Sequence, residues 1–117
     1  MSAAPRSSLS HFSRLSQKRA SERTRLAVSR AQEATAALAK LGVKARIIRS
    51  LATGRFRSGS DIDFLITECP RRLKYAIEGI IEDCLGGLPF DVVYLDEVPA
   101  HKLARFSREA VDAWDLR

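Results

Sequence analysis

Between Ser10 and Leu41 the chain holds neither Pro nor Gly, and Ala, Leu, Arg, Gln and Glu dominate, which favours helix. Apolar residues fall at Phe12 and Leu15, then at Leu26, Ala27, Ala31, Ala34, Leu38 and Leu41. The second set advances mostly by three or four residues and makes one apolar stripe. Residues 16–25 are almost wholly polar. Two helices satisfy this pattern, and so does one half-solvated helix. Gly42 stands where a helix C-cap belongs. Residues 1–10 lack periodicity and are expected to form a mobile start.

The next stretch, Val43 to Ile48, is short, β-branched and partly alternating, and predicts a strand. Leu51 to Ser60 contains two Gly and two Ser and predicts a turn or short helix with a loop. Asp61 to Thr67 predicts a second strand. Pro70 is placed to open a helix to about Leu85, with Leu73, Ile77, Ile80, Ile81 and Leu85 on one face. Gly86-Gly87 stops it. Phe90 to Leu95 predicts a third strand. Pro99 opens a last helix with Leu103, Phe106, Ala110 and Trp114 as its apolar side. No internal repeat is visible. Strands alternating with helices imply an α/β or α+β layer built on one sheet.

A length of 117 residues suits one domain, and 45% apolar content is enough for a small core. Charge adds a second feature. The formal net charge is +6, and residues 1–30 carry seven Lys or Arg against Glu22 alone. Residues 31–117 carry thirteen of each sign, so the whole excess belongs to the N-terminal segment. A nucleic-acid-binding domain would present its basic surplus on a domain face, which argues against one here. The segment itself suits contact with a nucleic acid, an acidic partner or a membrane surface, and equally a solvated arm. It is also Ser-rich, Arg-rich and poor in acid, as organelle transit peptides are. There is no apolar run of about 18 residues and no apolar stretch near Met1, so neither a membrane span nor a secretory signal is expected. Cys69 and Cys84 form neither a disulfide framework nor a four-ligand zinc site, and are expected to be reduced thiols in a cytoplasmic protein.

The candidate chemistry lies in the acids. Positions i and i+2 of a strand point to the same side, so Asp61 and Asp63 are expected side by side, with Ile62 and Phe64 buried opposite. Asp91 opens the next strand in the same way. If those strands are neighbours, three carboxylates converge at one sheet edge and repel one another unless a cation sits among them. Oxygen donors without His or Cys suit Mg²⁺ or Mn²⁺, whose other ligands are commonly water and substrate phosphates. Upstream, Arg49-Ser50-Leu51-Ala52-Thr53-Gly54 follows a strand and offers a hydroxyl and free amides to an anion. Taken singly, an Asp-x-Asp is often just a polar strand end, and a Ser/Gly stretch an ordinary β-turn.

Read together, residues 47–66 resemble the signature of the DNA polymerase beta-like nucleotidyltransferase superfamily, and within it the minimal nucleotidyltransferases. That pattern is apolar-Gly-Ser-x-Ala-x-Gly, a short spacer, then Ser-Asp-x-Asp and an apolar run. Ser50, Ala52, Gly54, Ser60, Asp61 and Asp63 match it in order and spacing. Phe90-Asp91-Val92-Val93 resembles the strand bearing the third carboxylate, and Phe106 to Val111 resembles the ending of these proteins. The resemblance spans about residues 43–114 and leaves out the basic segment. One position departs: Arg49 stands where the family has Gly. It either crowds the triphosphate or swings out and neutralises it.

The resemblance implies a small polymerase beta-like α/β (α+β) fold, with a mixed three- to four-stranded sheet flanked by helices. Residues 1–41 would be a basic arm and helix, and residues 42–117 the nucleotidyltransferase domain. It implies that Asp61 and Asp63 hold two Mg²⁺ ions, with Mn²⁺ as a substitute, and that Asp91 binds the ion activating the attacking hydroxyl. Arg49, Ser50, Gly54 and Ser60 would face the nucleotide. The implied reaction transfers a nucleoside monophosphate, AMP from ATP, to an acceptor hydroxyl. Small members of the family commonly look like antitoxins paired with HEPN-type RNase toxins, which makes a partner protein the expected acceptor. The alternative is a catalytically weak or inactive module that neutralises such a toxin by stoichiometric binding. A homo-oligomer is compatible with either. His11 and His101 have no role in this chemistry and read as surface or helix residues.

Overall fold

A computed structural model describes residues 3–116, with side chains of the first helix described from residue 13 onward. The polar stretch does not break the N-terminal helix. α1 (Ala3–Ala39) is one continuous helix of 37 residues. This corrects the expectation of a mobile start over residues 1–10, of which Met1 and Ser2 lie outside the described residues. Pro5 is harmless there, because the first-turn N–H groups have no intrahelical partner to lose. Ala27, Ala31, Ala34 and Leu38 are fully buried, so the predicted stripe is real and α1 is anchored by its C-terminal third. Leu26 and Leu41 lie off it, at 46% and 45% exposure. At the end of α1, Val43 N–H reaches back to Leu38 O at 3.1 Å, and Gly42 takes φ 82°, the left-handed turn that a side chain would resist.

The rest follows the expected order: β1 (Lys44–Ile48), α2 (Arg49–Thr53), β2 (Ile62–Glu68), α3 (Ile77–Leu85), β3 (Phe90–Tyr94) and α4 (Ala100–Glu109). The sheet order is β1-β2-β3, with β1 antiparallel and β3 parallel to β2. Parallel neighbours need a crossover, and α3 supplies it. A single bridge between Ile47 and Val111 begins a fourth position on the outer edge of β1. The fold is thus the mixed α/β type expected, with a three-stranded sheet flanked by helices.

β2 is central and is buried from Ile62 to Ile66 on both faces. Ile47, Ile62, Phe64 and Ile66 join Ile77, Ile81 and Leu85 of α3 and the Ala stripe of α1 in the main core. On the other face Ile48 and Leu65 pack with Phe106 and Ala110 in a smaller cluster.

Three elements differ from the sequence reading. Pro70 does not open an α-helix directly: residues Arg71–Ala76 form a 3₁₀ segment before α3. β2 starts at Ile62, so Asp61 lies just outside it. The last helix ends at Glu109, and Trp114 sits on a separate 3₁₀ turn at 63% exposure. Val111 has left the helix to pair with Ile47, and that pairing displaces Trp114 from the predicted apolar face. Leu103 is 40% exposed, which leaves Phe106 as the buried anchor of α4. Cys69 and Cys84 are both free thiols, as expected. Among the described residues, no helix is long and apolar enough to cross a membrane.

Candidate functional site

Three elements meet at one end of the sheet. Because β1 is antiparallel to β2, its last residue, Ile48, is the Cα partner of Asp63. Because β3 is parallel to β2, Asp91 is the Cα partner of Asp63 on the other side. The chain leaves β1 directly into Arg49, the first residue of α2. Strand alternation then sorts the side chains. Ile62 and Phe64 are fully buried in the main core, as expected, and Asp63 shares the opposite side with Leu65 and the α4 cluster.

Arg49 joins the two acids. Its Nη1 donates to Asp63 Oδ1 and to Asp91 Oδ2, both at 3.3 Å. The guanidinium lies 5.3 Å from the Phe106 ring centroid, within cation–π range. The backbone N–H of Arg49 donates to Glu109 Oε1 at 3.1 Å. Among the described residues Arg49 is the only non-glycine with positive φ, at 60°. A Cβ in this conformation costs about 1–2 kcal/mol, so the position suits a glycine on backbone grounds alone.

Asp63 is 6% exposed and is the only charged residue in the buried set among the described residues. Burial pushes its carboxyl up from 3.8 to about 6. The charge and hydrogen bond of Arg49 pull against that, and the charges of Asp91 and Asp61 add to the rise. Asp61 itself is exposed, one residue ahead of β2. The sequence led to three converging carboxylates; the structure brings Asp63 and Asp91 together around Arg49 and leaves Asp61 at the rim. Among the described residues no group of three or more His, Cys, Asp or Glu is gathered closely enough to hold a metal ion.

The turn after Arg49 is well formed. Arg55 N–H donates to Ser50 O at 2.8 Å, and Gly54 takes φ 77° as the left-handed cap of α2. Ser50 is half-buried at the start of this turn. Ser60 belongs to a second turn, where its Oγ accepts from Arg57 N–H at 2.9 Å. Two contributors escaped the sequence reading as site residues, Phe106 and Glu109. Their three-residue spacing places both on one face of α4, but nothing local in it points to Arg49.

The pair has the donor chemistry of a hard divalent cation site, with oxygens and neither imidazole nor thiolate. It also already embraces a cationic nitrogen. The residues present therefore fit such an ion on one condition, that the Arg49 head moves. A groove of 260 Å³, bordered by Arg49, Val93, Val98, Lys102 and Phe106, adjoins the guanidinium. A larger cleft of 450 Å³ lies at the far ends of β2 and β3, between Cys69, Lys74 and Tyr94. The Lys74 ammonium there is engaged by Glu97 and lies 4.7 Å from the Tyr94 ring centroid. The acid pair has the stronger claim to chemistry, because two in-register carboxylates are costly to hold together without a cation.

Compared with known proteins, the chain matches no family model and no curated sequence.

Proposed function

We propose that this protein is a nucleotidyltransferase that moves a nucleoside monophosphate, AMP from ATP, to a hydroxyl on a partner protein, as the antitoxin of a HEPN-type RNase toxin. One observation carries the reading: Asp63 and Asp91 stand in register on adjacent parallel strands, both 3.3 Å from a single cationic nitrogen, at the end of the strand-turn that bears Ser50 and Gly54. The motif resemblance supplies the reaction class.

Asp63 and Asp91, with Asp61 at the rim, would hold the Mg²⁺ that enters with the triphosphate. When bound there, Mg²⁺ supplies charge neutralisation on the oxygens that enter and leave phosphorus. The remaining work falls to the chain. Ser50 and the amides of the turn to Gly54 orient the β- and γ-phosphates. Asp91, 54% exposed on its side chain, is the carboxylate open to an incoming acceptor and takes its hydroxyl proton. The acceptor oxygen bonds to the α-phosphorus, the bond from that phosphorus to the bridging oxygen breaks, and pyrophosphate leaves with the electron pair. Positioning accounts for most of the rate, since little covalent chemistry is left to the protein.

The test is incubation with Mg²⁺ and α-labelled ATP beside a candidate partner. Label on the partner that is lost with Asp63→Asn supports the proposal, and no label on any protein or RNA acceptor counts against it. A second reading is favoured by Arg49, whose guanidinium already occupies the space between the two acids: the fold serves as a stoichiometric binding module. Toxin neutralisation undiminished in an Asp61→Asn/Asp63→Asn double variant would select that reading.

A further inference from the structure

We infer that Arg49 is the resident counter-ion of the acid pair, and that a divalent ion and a triphosphate enter the site together by exchanging partners with it. The ion takes Asp63 and Asp91, and the released guanidinium takes the phosphates. This rests on the nucleotidyltransferase reading above and adds to it a device that couples metal binding to nucleotide binding.

Charge argues for the exchange. One guanidinium between two carboxylates leaves the trio with a surplus negative charge, and exposed Asp61 adds to it. A triphosphate arriving alone meets that surplus and is repelled. A divalent ion arriving alone must expel Arg49 from the same oxygens, with no anion to receive the guanidinium. When both arrive, each cation gains an anionic partner and the repulsion on both sides is relieved. Two ligands that each remove the cost of the other are positively coupled.

Geometry permits the motion. The backbone of Arg49 is pinned by the Glu109 hydrogen bond at 3.1 Å, so the root of the side chain stays beside the acids wherever its head goes. The side chain is 40% exposed and borders the groove next to Phe106, so the head has open space on that side. Its pair with Asp91, at 3.3 Å and open to water, is of the kind that solvent weakens, and at buried Asp63 the incoming ion replaces the charge that the guanidinium withdraws. Release of the head is thus an affordable side-chain motion and needs no rearrangement of the sheet. A ligand shifts such an equilibrium only through a difference in affinity for the two states, and here the phosphates provide it.

The experiment compares the full-length wild type with Arg49→Gly, a residue suited to φ 60°. Mn²⁺ alone is titrated by paramagnetic resonance, and Mn²⁺ with ATP by calorimetry. The exchange requires opposite changes in the variant: Mn²⁺ alone binds about ten-fold tighter, because no resident cation competes, and Mn²⁺ with ATP binds weaker, because the phosphates have lost their arginine. Unchanged Mn²⁺ affinity, with Mn²⁺ and ATP still bound by both proteins, overturns the exchange and leaves the proposed function standing. Tighter binding of both ligands makes Arg49 a mere obstruction and likewise overturns it. Failure of both proteins to bind Mn²⁺ with ATP removes the inference and the proposed function together. If Arg49→Gly loses its cooperative melt, Arg49→Gln, which keeps most of the side-chain length without the charge, is titrated in its place under the same criteria.

Discussion

Asp63 and Asp91 are direct neighbours across parallel strands, yet the side chain of Asp63 is 8% exposed and that of Asp91 54%. The difference comes from strand position, since β2 is central and β3 is an edge. It separates the two acids chemically. Burial, partly offset by Arg49, moves the Asp63 carboxyl from 3.8 to about 6. In that interval the folded chain keeps a proton that the unfolded chain has released. Stability therefore falls as pH rises, because the native state binds more protons there. The contribution is fully present below 3.8 and is lost as pH passes about 6, a change on the order of 3 kcal/mol. The melting temperature of wild type minus that of Asp63→Asn is expected to decline from pH 4 to pH 7, the interval that brackets those two values. A difference that stays flat, or that climbs, contradicts the burial argument.

Arg49 separates a side-chain effect from a backbone effect. Arg49→Ala and Arg49→Gly remove the same two ion pairs and the same contact with Phe106. They differ in whether a Cβ must sit at φ 60°. Urea denaturation is expected to find the Gly variant more stable than the Ala variant by about 1 kcal/mol. Equal stabilities would show that the backbone relaxes out of the left-handed region once the guanidinium is gone.

The order of elements was legible because each strand is short and flanked by turn residues. The three strands lie within a residue or so of Val43–Ile48, Asp61–Thr67 and Phe90–Leu95. Ile62 and Phe64 were legible as core from alternation alone, and both are fully buried. What the sequence withheld was tertiary. Periodicity allows Trp114 on a helix face, and only the distant pairing of Val111 with Ile47 takes the chain out of the helix first. The site divides in the same way. The juxtaposition of Asp63 and Asp91 follows from their spacing once the two strands are neighbours. The ties from Arg49 to Phe106 and Glu109 join residues about sixty positions apart and leave no local signature. The departure from glycine at Arg49 was visible, but which partners its guanidinium finds depends on strand register.

Packing along α1 is uneven enough to test with two leucines. Leu38 is fully buried in the main core, whereas Leu15 is 39% exposed. Leu38→Ala is expected to cost about 2–5 kcal/mol through lost transfer energy and the cavity left behind. Leu15→Ala is expected to stay within about 0.5 kcal/mol, as surface substitutions do. Comparable losses at both positions would mean that the N-terminal half of the helix is covered by another surface in solution.

The same unevenness predicts what truncation does. No residue from Ser13 to Leu26 is buried, and the buried stripe of α1 begins at Ala27. The molecule measures 66 × 32 × 21 Å, and α1, about 55 Å long at 1.5 Å per residue, sets the long dimension. A projecting helix with no apolar face gains little from tertiary packing and is marginal in water. Deleting residues 1–22 is therefore expected to lower the helical circular-dichroism signal and to leave the melting temperature within about 2 °C of full length. The deletion also removes four of the seven basic residues of the first thirty, together with Glu22. If the arm contacts nucleic acid, the salt dependence of RNA binding falls with it, by a slope of up to about 3. If the arm is a solvated extension, the slopes for the two proteins coincide. A drop in melting temperature well beyond the stated margin would instead place the arm against the domain, and the long projecting shape would be wrong for the molecule in solution.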